Sequence, residues 1–155
     1  MLLALWSPKG GSGTSVLAAA CAAVLARRGP CRIADLAGDQ PAVLGLGADP
    51  ETGIAEWLAT GPDAPVDALD RLAVEVAPGL HLVPAGTRRP LAPLAAAEAG
   101  AALGVALASD PRPCVVDAGR ADDPAARMVV EVADASIVVV RGCYLTLRRA
   151  VHSLL

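Results

Sequence analysis

The chain has no phenylalanine, one tyrosine and two tryptophans in 155 residues, yet 54% of it is apolar. Its core must therefore be built from alanine, valine, leucine and isoleucine. Small aliphatics of this kind suit buried parallel strands covered by alanine-rich helices. Histidine is limited to His81 and His152, and no G-x-S-x-G elbow is present, which argues against a Ser/His/Asp hydrolase. Cys21, Cys31, Cys114 and Cys143 are scattered, without a C-x-x-C pair or zinc-ligand spacing. They read as small hydrophobes in a reducing cytoplasm. No apolar run reaches roughly eighteen residues, so no membrane span is predicted. The opening stretch Leu2–Trp6 is too short for a signal peptide and has no basic lead-in. The net charge of −3 lacks the basic footprint of a dedicated nucleic-acid binder.

Lysine is almost missing as well. Lys9 is the only one, every other basic residue being arginine. It opens the run Lys9-Gly10-Gly11-Ser12-Gly13-Thr14-Ser15, directly after an apolar strand. A lone ammonium beside a glycine loop suits a phosphate, because it acts as a compact point charge that arginine's planar fork does not replace. Gly10, Gly11 and Gly13 allow the backbone the unusual angles and close approach such a loop needs. Their N–H groups can form a nest, and the following helix adds its positive end. Ser15 falls where a hydroxyl binds Mg²⁺.

Apolar periodicity and turn residues predict strands at Leu2–Trp6, 32–36, 72–77, 80–84, Cys114–Asp117 and 136–140, the last of them buried. Helices are predicted over 15–28, 54–59, 67–72, 94–108, Pro124–Val132 and 144–155, with 37–50 a loop. The last helix carries Arg148 and Arg149 beside Leu145, Leu147, Val151, Leu154 and Leu155. It can be read as a membrane-surface helix, but the expectation is that it covers strand 136–140 and that the chain makes no membrane contact. The alternation of strand and helix implies one α/β domain over 1–155, in three layers around a mostly parallel sheet. Ligands of such sheets bind outside the carboxyl ends of the strands. Lys9, Asp35 and Asp117 all lie at or just after such ends.

Here the chain resembles the ParA/MinD family of P-loop ATPases, whose deviant Walker A motif is K-G-G-x-G-K-[ST]. Residues 9–15 match every fixed position but one. Asp35-Leu36 followed by Gly38-Asp39-Gln40 resembles the family's switch I, Cys114–Asp117 its Walker B strand, and 118–123 its switch II. Ala133-Asp134-Ala135-Ser136, entering an apolar strand, is similar too, and the wording is nearest the CpaE/TadZ-like and septum-site branch of actinobacterial type. The resemblance implies ATP and Mg²⁺ as cofactors, with Lys9, Gly10, Gly11, Ser12, Gly13, Thr14 and Ser15 at the nucleotide. Ser15, Asp35 and Asp117 would surround the metal, and Asp39 the attacking water. Lys9, the signature lysine, would reach the nucleotide of a partner subunit in an ATP-bound homodimer. Spatial positioning of a septum, a pilus assembly or a replicon is the implied role, together with an unidentified protein partner.

Two departures bear on chemistry. Thr14 stands where the family has the ordinary P-loop lysine, and Ala37 where it commonly has a second switch I aspartate. Both losses predict a nucleotide switch with weak or absent hydrolysis. Family members usually run on for another hundred residues or so, which implies either a fragment of a longer domain or an incomplete base-binding side. Two other classes stay open. One is a scaffold that keeps the fold without the nucleotide. The other is a Rossmann-type dinucleotide domain, since Gly11-Ser12-Gly13 opens a helix and Asp35 ends the next strand. Against that reading, its third glycine would fall on Val16, where a side chain is expected to block close helix packing.

Overall fold

The computed structural model describes residues 1–61, 64–65, 67–87, 91–120 and 122–153. Leu154 and Leu155 of the expected last helix, and Ala121 of the stretch 118–123, lie outside them. Strands β1 (Leu2–Trp6), β2 (Cys31–Asp35), β3 (Val74–Ala77), β4 (Leu80–Val83), β5 (Cys114–Asp117) and β6 (Ala135–Val138) form one sheet in the order β3-β4-β2-β5-β1-β6. Every pairing is parallel except the β3–β4 hairpin at one edge. Helices α1 (Thr14–Ala26), α2 (Gln40–Val43), α3 (Ile54–Thr60), α4 (Ala68–Leu72), α5 (Pro93–Ala108), α6 (Pro124–Val132) and α7 (Tyr144–Ser153) complete the chain. Residues 37–50, expected as loop, thus contain the short helix α2.

Successive strand residues point to opposite faces, and the two faces have separate cores. On one, Leu5, Ile33, Leu82 and Val115 meet Ala18, Ala19 and Ala22 of α1. On the other, Leu2, Ala4, Trp6, Val83 and Val116 meet Ile54 and Trp57 of α3, Leu103 and Leu107 of α5, and Ala126 and Val129 of α6. Both tryptophans therefore fill the thicker layer, where a chain without phenylalanine most needs volume. Small residues bring the helices close. A Cβ at Gly100 of α5 would lie 2.5 Å from the Ala125 carbonyl oxygen of α6. Cys31 and Cys114 are fully buried, and burial pushes the Cys114 thiol up to about 12, so it packs as a hydrophobe.

Two expectations for the C-terminal part are corrected. Among the described residues β6 is an edge strand, paired with β1 alone and largely exposed, not a buried one. An apolar run signals a strand but not its place in the sheet. Nor does α7 cover it: Ile137 and Val140 remain exposed, and α7 buries only Thr146 and Ala150 among its described side chains. Among the described residues no helix is long and apolar enough to cross a membrane.

Candidate nucleotide site

β1 ends at Trp6, and the glycine loop then turns over the carboxyl end of the sheet into α1. Gly11 and Gly13 sit at φ 78° and 89°, the left-handed region that favours glycine. No atom lies within 4 Å of a Cβ built at either, so torsion and not crowding selects glycine there. Ser7 anchors the loop base. Its Oγ lies 2.6 Å from the Lys9 carbonyl and 2.8 Å from Ser12 Oγ, which itself donates to that carbonyl at 2.9 Å. The Ser7 amide donates to the Gly119 carbonyl after β5 at 2.8 Å, stitching the loop to the chain that follows the Walker B-like strand.

Helix α1 opens at Gly13 with no side-chain cap and no acid in its first turn. Its first amides have no partner within the helix, and its dipole favours an anion at this end. Helix α6 is the contrast, because Asp123 there accepts from the amides of Ala125 and Ala126. The open end of α1 faces a cleft of about 370 Å³ lined by Gly10 to Val16, Ser7, Asp39, Ala42, Val43, Gly119 and Arg120. An uncapped helix end behind a glycine loop, in a cleft of this size, fits a phosphate group.

Two acids lie beneath it. Asp35 and Asp117 are the last residues of β2 and β5, directly paired in register and both fully buried. Asp35 accepts the amides of Ala37, Gly38 and Gln40 at 3.0, 2.7 and 3.0 Å, and so folds the loop after β2 around its carboxylate. Burial pushes its carboxyl up to about 6, the three amides oppose that rise, and the charge of Asp117 adds to it. Asp117 accepts from the Gly119 amide at 3.1 Å and from Gln40 Nε2 at 2.8 Å. Asp39 is exposed and lines the cleft, 3.4 Å from Ser15 Oγ. Within the cleft itself the Asp39 carboxylate and the Ser15 hydroxyl are oxygen donors of the hard kind that suits Mg²⁺.

The structure thus brings Gly10, Gly11, Ser12, Gly13, Thr14, Ser15 and Asp39 to one cleft, while Asp117 joins the first turn of α1 through Gln40 and Asp35 lines a separate cavity with Leu36, Ile54 and Ala125. Lys9 is half-buried beside the glycine-loop cleft, and Thr14 is buried in the first turn of α1. Gln40 stands in the switch I-like stretch but carries no role readable from sequence, and neither does Ser7, because a glutamine in a loop and a serine after a strand have no pattern of their own. Val16 is 64% exposed, so it obstructs no packing and gives no argument against a dinucleotide. Strand order does the discriminating. In the dinucleotide fold the glycine-loop strand and the next strand are neighbours, whereas here β5 lies between β1 and β2.

The chain also superposes on solved structures. McdA of Cyanothece in its apo form superposes with a TM-score of 0.77 at 17% identity, over 99% of this chain and 63% of that one. The fold is that of the ParA/MinD P-loop ATPases. A ParA family ATPase from Chlorobium tepidum gives 0.75 at 21% identity, over 99% and 65%. The septum site-determining protein MinD of Pyrococcus horikoshii, complexed with Mg-ADP, gives 0.72 at 16%, over 99% and 63%. This chain therefore spans less than two thirds of the length of each. Neither a protein-family model nor a curated protein sequence matches it.

Proposed function

We propose that this chain is an ATP- and Mg²⁺-binding switch of ParA/MinD type, with feeble or absent hydrolysis, serving the spatial positioning of a septum, a pilus assembly or a replicon. The observation that carries the reading is the glycine loop feeding an uncapped α1, above the paired acids Asp35 and Asp117. Support comes from the fold shared with MinD, which was crystallised with Mg-ADP. The wording of residues 9–15 and 35–40 favours the CpaE/TadZ-like or septum-site branch within it.

In this reading the amides of Gly10 to Ser15 hold the phosphates, and Lys9 reaches a partner subunit's nucleotide in a homodimer. Ser15 and Asp117 orient a magnesium ion, and Asp35 shapes the loop around them. When bound, the ion offsets charge on the phosphate oxygens. Two residues withhold catalysis. Thr14 brings a hydroxyl but no positive charge to the transferring phosphoryl group. Ala37 brings no carboxylate to the loop after β2. Asp39 lines the cleft instead, beside Ser15.

Isothermal titration of purified protein with ATPγS and Mg²⁺, paired with a phosphate-release assay, tests this. Saturable binding with negligible release is expected. Brisk release would overturn the hydrolysis part, and absence of binding would leave a scaffold that keeps only the fold.

A further inference from the structure

Of the described residues that line the glycine-loop cleft, two carry charge: Asp39 and Arg120. Thr14 brings none, and Lys9 lies outside the lining. Arg120 is thus the cation of the cleft wall. Its stem passes over the loop, with Cδ 3.7 Å from a Cβ built on Gly10. The chain just before it is pinned. The Gly119 amide donates to Asp117 at 3.1 Å, and the Gly119 carbonyl accepts the Ser7 amide at the loop base at 2.8 Å. The arginine therefore leaves the backbone at a point tied both to a strand-end acid and to the glycine loop itself.

The present partner of the guanidinium is weakly held. Arg120 pairs with Asp122, two residues on, and the two side chains are 58% and 61% exposed. Exposed pairs of this kind contribute little to stability. A phosphate carries more charge than a carboxylate, and arginine's fork can grip two of its oxygens at once. Inside the nest of loop amides that fork would not replace a lysine's point charge, but Arg120 approaches from the chain after β5. We propose that Arg120 is a phosphate-binding residue of this cleft: it exchanges Asp122 for phosphate oxygens of the nucleotide and supplies the positive charge that Thr14 withholds. The inference rests on the ATP reading above and names the cation that reading lacks. It moves that charge from the head of α1 to the segment that follows Asp117.

The test is titration of ATPγS with MgCl₂ into the full chain, for wild type, Arg120→Ala, Arg120→Lys, Asp122→Asn, Thr14→Lys and Arg120→Ala combined with Thr14→Lys. Arg120→Ala is expected to weaken binding by about ten- to a hundredfold, the loss of one charge-assisted contact. Arg120→Lys keeps the charge without the fork and is expected to recover part of that loss. Asp122→Asn removes the competing carboxylate and is expected to tighten binding by about two- to fivefold. Thr14→Lys is expected to bring a larger gain in Arg120→Ala than in wild type, because two groups serving one phosphate chain are not additive. Should Arg120→Ala fail to fold by circular dichroism, Arg120→Gln carries the same expectations. Unchanged affinity in Arg120→Ala would overturn the role of Arg120 and leave the ATP reading standing. Equal gains from Thr14→Lys in the two backgrounds would overturn it as well, since Arg120 would then not stand in for the lysine. Weaker binding in Asp122→Asn would make the ion pair part of the site and overturn the exchange. Wild type that binds no ATPγS sinks the ATP reading and this inference together.

Discussion

At Thr14 the glycine loop carries a hydroxyl where a phosphate-binding loop ordinarily carries an ammonium. The residue is 7% exposed, in the first turn of α1 on the cleft wall. A lysine there could lay its stem along the wall and bring its charge to the phosphates. Thr14→Lys is expected to tighten ATPγS binding by about ten- to a hundredfold, the effect of one charge-assisted contact. Titration calorimetry showing no gain would mean that Thr14 does not occupy the lysine's place. The glycines offer a test of the loop itself. Gly11→Ala meets open space and costs only left-handed strain, about 1–2 kcal/mol in urea unfolding. Gly119→Ala, at φ 58° and 3.0 Å from Ala37 Cβ, adds crowding to that strain and is expected to cost more. Lys9, Gly11 and Gly13 were legible because each is unusual in composition or torsion. Gln40 was not, since its importance lies in burial and in partners 25 and 77 residues away.

Helices and strands were easier to read, for physical reasons that differ between them. β1, β5 and α6 begin and end where their apolar runs and turn residues do. α1 ends at Ala26, ahead of the predicted 28, as the chain turns through Arg27 towards Gly29 and Pro30. What period could not convey is how closely two elements approach. α5 and α6 pack through Gly100, where a Cβ would strike the Ala125 backbone, and backbone cannot be moved aside as a side-chain tip can. Gly100→Ala, a favourable change in an isolated helix, is therefore expected to destabilise by about 1–3 kcal/mol through overpacking, read as a lower urea midpoint. A neutral or stabilising outcome would show that the helices stand further apart. The C-terminal elements teach the opposite lesson. The run at 136–140 is apolar enough for a central strand, yet among the described residues β6 pairs with β1 alone, and its run of apolar residues does not say which neighbours it has.

Across the whole molecule, the end of the sheet opposite the cleft is held by ions. Arg32, only 3% exposed, pairs with Asp110 at 2.9 Å and with Asp70, while Arg112 pairs with both acids. The hydrogen bonds from Arg112, with the nearby Arg32 charge, hold the carboxyls of Asp70 and Asp110 below their usual range. The folded chain thus binds protons at these sites more weakly than the unfolded one. Their stabilisation is fully present above the unfolded carboxyl value of about 3.9 and is lost as pH falls through the lower folded values. Urea midpoints measured from pH 6 downward, on the order of one pH unit per step, are expected to fall most steeply below about pH 4. Asp110→Asn is expected to flatten that limb, and an unchanged slope would remove the network from the account.

The sequence by itself determined the elements, the glycine loop and the acids at the strand ends, because apolar period, turn chemistry and torsional need are local properties of a chain. Only the tertiary structure decided that β5 lies between β1 and β2, that Asp35 and Asp117 face each other in register, and that Gln40 closes over them. Those facts arise when long-range burial of two apolar faces selects one strand order. That selection joins residues whose separation along the chain no local pattern can bridge.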